Sequence, residues 1–310
     1  MKKYIIRRII FGIITVWFIA TATFFAMRVA FKDPTVAEKA VSEEVMKNLK
    51  KKWGLDQPLH MQYLIYMKNL CKGDLGMSMW QENRSVNDII KDHFPVSALL
   101  GIYAMLIAAF GGILWGAITA KYRNKLPDIV IMFLVIIGIS VPNFVLASAS
   151  QLVILEVNQA TGKKFPIIGL EMWYSYIVPS IVLGMGTMAY LTRLMRSSML
   201  EVVNSDYIRT ARAKGLSPVK IFFSHELRNA ILPVITVLGP SIAAVTTGSF
   251  VVEKIFGIPG LGKKFVDAVL QQDYTLLMGV TIFYGAFLVV MVLIVDIIYG
   301  FIDPRIRVDK

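Results

Sequence analysis

Residues able to do chemistry are few and scattered along this chain. The three histidines, His60, His93 and His225, stand far apart, and Cys71 is the single cysteine, so neither a metal cluster nor an internal disulfide is expected. No Ser/His/Asp or Cys/His set falls at a usable spacing, which argues against catalysis in this chain. The nearest approach to a chemical motif is Gly257-Ile258-Pro259-Gly260-Leu261-Gly262-Lys263-Lys264. It almost matches the phosphate-cradling pattern G-x-x-x-x-G-K-[ST], but Lys264 stands where the magnesium-binding hydroxyl belongs, and no strand precedes it. Nucleotide binding is therefore rejected. What remains is a Gly/Pro-rich turn.

A second constellation is suited to docking rather than catalysis. Residues 206–233, DYIRTARAKGLSPVKIFFSHELRNAILP, are polar and basic and lie between two strongly apolar stretches. Asp206 to Gly215 predicts a short helix that Gly215 ends, with Pro218 marking a second helical start. Ala211 and Gly215, four apart, would share one face small enough for close approach by a partner, ringed by Arg209, Arg212 and Lys214. The same pattern fits an amphipathic segment lying on anionic lipid.

Further polar candidates sit beside helix breakers: Asn143 after Pro142, Ser180 after Pro179, Ser241 after Pro240, then Thr246, Thr247 and Ser249. They could line a wet cavity, although serine and threonine in membrane helices more often bond their own helix or a neighbour. Asp296 and Glu156 lie near the ends of apolar stretches, and the absence of a ladder of charges argues against a proton- or ion-coupled path.

These residues need an apolar scaffold to position them. The chain has 310 residues, 56% hydrophobic and 17% charged, with a mean hydropathy of +0.61. That departs toward membrane proteins from the soluble average of about 45–50% apolar and about 25% charged. An apolar run over 9–27 follows the basic start Lys2, Lys3, Arg7, Arg8 and exceeds the core of a signal peptide, so it reads as a retained first span. Five more stretches follow at about 97–120, 128–155, 174–198, 230–251 and 277–302. Their prolines and paired glycines suggest helices that pack closely and bend around a cavity.

Six spans place both termini on one side. Lysine and arginine concentrate there: in the N-terminal start, at Lys121, Arg123 and Lys125, from Arg193 to Arg228, and at Arg305, Arg307 and Lys310. The short opposite loops hold only Lys163, Lys164, Lys254, Lys263 and Lys264, so both termini are expected in the cytoplasm. The same bias explains most of the net charge of +12 and removes nucleic acid as a partner. The expected organisation is a cytoplasmic start and first span over 1–31, an external segment over 32–95, and a five-helix core over 96–302 with a cytoplasmic loop at 200–228. A cytoplasmic tail occupies 303–310. In the external segment, 38–53 reads as a solvated helix, 61–70 as an amphipathic helix, and Gly54-Leu55-Asp56-Gln57-Pro58 and Lys72-Gly73-Asp74-Leu75-Gly76 as turns.

The 206–233 loop resembles the "EAA" cytoplasmic loop of permease subunits of ATP-binding-cassette importers, through Thr210-Ala211-x3-Gly215 and Ile231-Leu232-Pro233. Arg209 stands where that loop usually has glutamate, and the Gly-to-Pro spacing is longer. Both departures are similar to the dipeptide/oligopeptide/nickel branch. Gly73-Asp74-Leu75-Gly76, Thr247-Gly248-Ser249 to Glu253, Phe256-Gly257-Ile258-Pro259-Gly260-Leu261-Gly262 and Asp303-Pro304-Arg305 extend the likeness over nearly the whole chain, which most resembles a B-type oligopeptide permease subunit.

The resemblance implies an all-α type I importer permease of six transmembrane helices in a bacterial plasma membrane, importing oligopeptides by alternating access. It implies a hetero-dimer with a second permease subunit, two ATPase subunits carrying ATP and magnesium, and an extracytoplasmic peptide-binding protein, with no cofactor in this chain. Tyr207, Arg209, Thr210, Ala211, Arg212, Gly215 and Leu216 would then couple to an ATPase through the helix at 206–217. Glu253, Phe256, Gly257, Pro259, Gly260 and Gly262 would form an extracellular gate or docking loop with a short helix over 264–270, although a plain external turn fits the same residues. A dipeptide or nickel permease is the alternative within the branch. An ATP-independent channel or secondary transporter, or a peptide-sensing scaffold, is the alternative outside it.

Overall fold

A computed structural model describes residues 2–30, 56–81, 83–170, 172–246 and 250–302. The expected helix at 38–53, Gly54 and Leu55, Thr247 to Ser249, and the tail over 303–310 lie outside the described residues. Those that are described are helical, apart from turns and one isolated antiparallel bridge between Met77 and Ser85. The helices are α1 (Lys2–Ala30), α2 (Leu59–Leu70), α3 (Val86–Lys121), α4 (Leu126–Ser140), α5 (Asn143–Thr161) and α6 (Ile177–Val203). They continue with α7 (Asp206–Ala213), α8 (Pro218–Ala230), α9 (Leu232–Thr246), α10 (Phe250–Ile255), α11 (Leu261–Gln271) and α12 (Tyr274–Ile302). Asp296 falls within α12.

Four uninterrupted segments are long and apolar enough to cross a membrane: Ile6–Val29, Val86–Lys121, Trp173–Val203 and Tyr274–Ile294. Two bent pairs bring the number to as many as six: α4 with α5, and α8 with the Leu232–Ile242 part of α9. The stretch expected as one span at 128–155 consists of two helices bent by 113°, long and apolar enough to cross when taken together. Pro142 has no amide to continue α4 and pushes the preceding residue out of helical conformation, and Val141 is extended at φ −88, ψ 123. The second bend, 47°, follows a π turn over Phe222–Leu227.

The chain divides into two compact units, Met1–Pro95 with Lys263–Val290, and Val96–Gly262 with Met291–Lys310. In the first, α1 meets α12 through small residues: a Cβ on Gly12 would come within 2.8 Å of Val289, and one on Gly285 within 2.8 Å of Ile19. Asp273 gathers the polar groups of this unit. Its carboxylate accepts the Ser78 hydroxyl, the amides of Met79 (3.1 Å) and Trp80 (3.3 Å), and the Leu276 amide (3.0 Å) in the first turn of α12. The 73–76 turn is held by Asn87, which accepts the Leu75 amide and donates to the Gly73 carbonyl.

The second unit is built on α6. In lipid, apolar surface gains nothing from leaving water, so helices associate by close approach of small residues. A groove of Gly112 and Gly116 on α3 receives Leu191 and Met195 of α6, while Gly184 lies against the Ala104 carbonyl. Gly138 of α4 sits beside Met185. Leu100, Ala104, Leu191, Met195, Met199, Val234, Val252 and Phe256 complete the buried core.

Candidate functional site

The polar loop begins where α6 ends. Two turns earlier α6 is clamped: Arg196 donates from Nε (2.9 Å) and Nη2 (2.8 Å) to the two carboxylate oxygens of Asp128, in the first turn of α4. The Asn124 amide also donates to Asp128, at 2.9 Å. This bidentate geometry fixes orientation as well as distance. Sequence reasoning missed the pair, whose only signal was two opposite charges at the ends of apolar stretches.

α7 then runs from Asp206 to Ala213, and Gly215 takes φ +73, a left-handed conformation that glycine adopts without a Cβ penalty. Ser217 caps α8 by accepting the Lys220 amide (3.4 Å), with Pro218 opening the helix. The expected shared outward face of Ala211 and Gly215 is corrected. Ile208 and Ala211 are buried against Ile221, with Leu216 and Val202 beside them. The helix ends before Gly215, so the four-residue spacing does not align the two. Ala211 is small because α7 seats on its own chain. Tyr207, Arg209, Thr210, Arg212, Lys214 and Gly215 are exposed, and nothing lies within 4 Å of a Cβ built on Gly215.

α7 is also tied to α8 by charge. Arg212 reaches Oε1 of Glu226 at 3.4 Å, and Glu226, in the π turn, is nearly buried. The pair borders a cavity of about 560 Å³ between the loop and the ends of α3 and α6, lined also by Lys121, Met199, Val219 and Phe222. Opposite it, a cleft of about 500 Å³ lies between Tyr207, Glu201, Asn229 and Pro233. Arg209 pairs with Asp206 at 3.3 Å in full exposure, where such a pair contributes little. Sequence reasoning passed over Glu226.

The glycine turn is organised around its own acid. Glu253 is fully buried, and its carboxylate lies against Gly260 and Gly262 at the start of α11. A Cβ on Gly260 would collide with Oε2, and one on Gly262 would stand at 2.9 Å. The Leu261 amide donates to the Ser97 hydroxyl at 2.8 Å. The resemblance of 257–264 to a phosphate cradle thus has a physical basis, because glycines at a helix start leave room for an anion. Here that room is filled by the carboxyl group of an internal glutamate. Gly257, at φ +63, lets the chain turn under Ile168. Gln151 bonds the Ile167 (3.2 Å) and Ile255 (3.0 Å) carbonyls, and the Gly169 amide bonds the Phe256 carbonyl at 2.8 Å. Phe256 is core, and Pro259 is exposed. The short helix expected at 264–270 is the Leu261–Gln271 helix.

The polar positions beside breakers are dispersed. Asn143 opens α5, Ser241 is half-buried in α9, and Thr246 ends α9. Ser180 is fully buried, with no hydrogen-bond partner for its hydroxyl. Asn143, Ser180 and Ser241 line neither of the two cavities beside the loop. Among the described residues, no group of three or more His, Cys, Asp or Glu could hold a metal ion.

Membrane-length helices with a short polar helix seated on its own chain suit a transport subunit. The chain belongs to the family described as "Binding-protein-dependent transport system inner membrane component", which matches residues 112–308, and "Binding-prot-dependent transport system membrane comp, N-term" matches residues 1–101. It is an all-α permease subunit of an ATP-binding-cassette importer, with ATP hydrolysis on separate subunits. It is 44% identical over 310 residues to the dipeptide transport system permease protein DppB of Bacillus subtilis, covering 100% of this chain and 99% of that one. It is 40% identical to the oligopeptide transport system permease protein OppB of Haemophilus influenzae, over 99% of this chain and 100% of that one. A solved structure, "Crystal structure of an amino acid ABC transporter with histidines", aligns with a TM-score of 0.53 at 15% identity, covering 68% of this chain and 93% of that one. At that identity the likeness bears on the fold alone.

Proposed function

We propose that this chain is one membrane half of an ATP-driven importer of short peptides, coupled to its ATPases through α7. The peptide reading rests on the dipeptide and oligopeptide permeases to which the chain is similar along its whole length. The coupling reading rests on one observation: a short helix with an exposed polar face is seated on α8 by Ile208, Ala211 and Ile221 and by the Arg212–Glu226 pair, with Val202 at the end of α6 beside it. An ATPase that grips Tyr207, Arg209, Thr210 and Lys214 pushes a rigid body, and the displacement passes to α6 and α9. Gly215 and Leu216 form the turn that keeps α7 at its angle.

Both termini and this loop face the cytoplasm of a bacterial plasma membrane. The partners are a second permease subunit, two ATPases holding ATP and magnesium, and an extracytoplasmic peptide-binding protein. The glycine turn with Glu253, Phe256, Gly257, Pro259, Gly260 and Gly262 acts on the outer side, as gate or docking loop. Asn143, Ser180, Ser241, Thr246, Thr247 and Ser249 are the candidates to meet the peptide backbone in the path.

The test is uptake of labelled dipeptide and tetrapeptide into proteoliposomes holding the complete transporter, binding protein and ATP. Uptake that stops when the ATPases are omitted, and that unlabelled peptide but not nickel competes away, is the expected result. Accumulation without ATPases would overturn the coupling reading, and competition by nickel alone would overturn the peptide reading.

A further inference from the structure

The helix α2 falls in the segment expected to be external, yet its contacts tie it to the interior of a span. The Tyr63 hydroxyl and the Thr21 hydroxyl share a hydrogen bond of 2.8 Å. Thr21 lies inside the apolar span Ile6–Val29, about 12 Å of helix before its end at a rise of 1.5 Å per residue. Phe24 and Phe25 hold the Tyr63 ring at 5.5 and 5.7 Å, and Phe24 lies 5.8 Å from Tyr66. The Tyr66 hydroxyl is buried without a partner. All of these contacts join the last third of α1 to one face of α2.

The other face of α2 is apolar and open. Met61, Leu64 and Ile65 are 41, 58 and 46% exposed, and with Lys68 they fall at the i, i+3, i+4, i+7 positions of one stripe. α1 likewise exposes large apolar side chains at Trp17, Phe18 and Phe25. With 12 residues, α2 is too short to span a bilayer. Its ends are polar, with Asp56-Gln57-Pro58 before it and Lys72-Gly73-Asp74 after it. An apolar stripe with a basic residue at its edge, anchored at the depth of Thr21, matches a helix lying in the boundary between headgroups and acyl chains.

We propose that α2 is a membrane-surface helix, seated in the leaflet that the C-terminal end of α1 reaches. Met61, Leu64 and Ile65 face acyl chains there. Lys68 extends its stem along the apolar surface and its ammonium to the lipid phosphates. The occupant of this face is lipid, and the role of α2 is to brace the last third of α1. The inference does not depend on which side of the membrane the termini occupy, nor on what is transported.

The test uses the complete transporter in lipid nanodiscs, with Cys71→Ser as background and single cysteines at Leu64→Cys, Ile65→Cys and Gln57→Cys carrying an environment-sensitive fluorophore. The expected result is blue-shifted emission at 64 and 65, quenched several-fold more by shallow nitroxide lipids than by aqueous iodide, with the order reversed at 57. Equal iodide quenching at 64 and 57 would overturn the proposal by placing the face in water. Protection of 64 and 65 from both quenchers, with crosslinking to another subunit, would overturn it by showing a protein cover. Leu64→Trp supplies a second probe without a label: its intrinsic emission is expected to be quenched by brominated lipid, and unaltered emission would count against the proposal.

Discussion

The polar loop and the glycine turn solve opposite problems with similar parts. Each sets a short helix beside a glycine at positive φ, Gly215 in one and Gly257 in the other. The loop turns its small apolar residues inward and leaves its cations outside, whereas the turn draws Glu253 inside and closes glycines around it. The loop keeps its charges at the surface, where a partner could reach them. The turn encloses its acid among its own residues. The turn nearly spells a phosphate site, yet the space its glycines leave holds the chain's own carboxyl group.

Four changes break or sharpen this contrast. Gly260→Val has the largest expected effect, since its side chain meets both the Glu253 carboxylate and Ser97. A loss of about 3 kcal/mol or more is expected from overpacking, read as failure to assemble or a lower melting temperature in detergent. Gly215→Asp should leave stability within about 1–2 kcal/mol, the cost of a left-handed non-glycine residue, yet abolish peptide uptake and peptide-stimulated ATP hydrolysis. Normal uptake at normal membrane levels would remove α7 from the coupling route.

Glu226→Gln removes the charge that Arg212 faces. It should cost about 1–2 kcal/mol, discounted for the half-exposed arginine, and lower the number of peptides moved per ATP hydrolysed. The exchanged pair Arg212→Glu with Glu226→Arg should recover part of that ratio, and a double-mutant cycle without coupling energy would show the contact to be idle. Asp206→Asn, on the exposed Arg209 pair, should shift stability by less than about 0.5 kcal/mol and leave uptake unchanged.

The spans and the loop helix were legible in the sequence because their determinants are local. Hydropathy marks the spans, and Gly215 and Pro218 end one helix and begin the next. The break at Pro142 was visible as a residue but not as an angle, since a bend of 113° depends on what both halves pack against. Ala211 was misjudged for a related reason, because helical spacing says which residues share a face and not where that face points. Contacts that join distant segments stayed hidden. Arg196 and Asp128 are 68 residues apart, and Ser78 and Asp273 are 195 apart. Glu253 was singled out, but no spacing rule announced that Gly260 and Gly262 were its walls.

The clamp between Asp128 and Arg196 divides α6 unequally. At 1.5 Å per residue, about 10 Å of helix lies between Arg196 and the polar loop, and about 28 Å lies on the far side. A stiff rod held at that point works as a lever with a short input arm and a long output arm. If α7 receives a push as proposed, a displacement of one or two ångströms there becomes a little over twice as large where Pro179 and Ser180 sit, and the force available there falls in the same proportion.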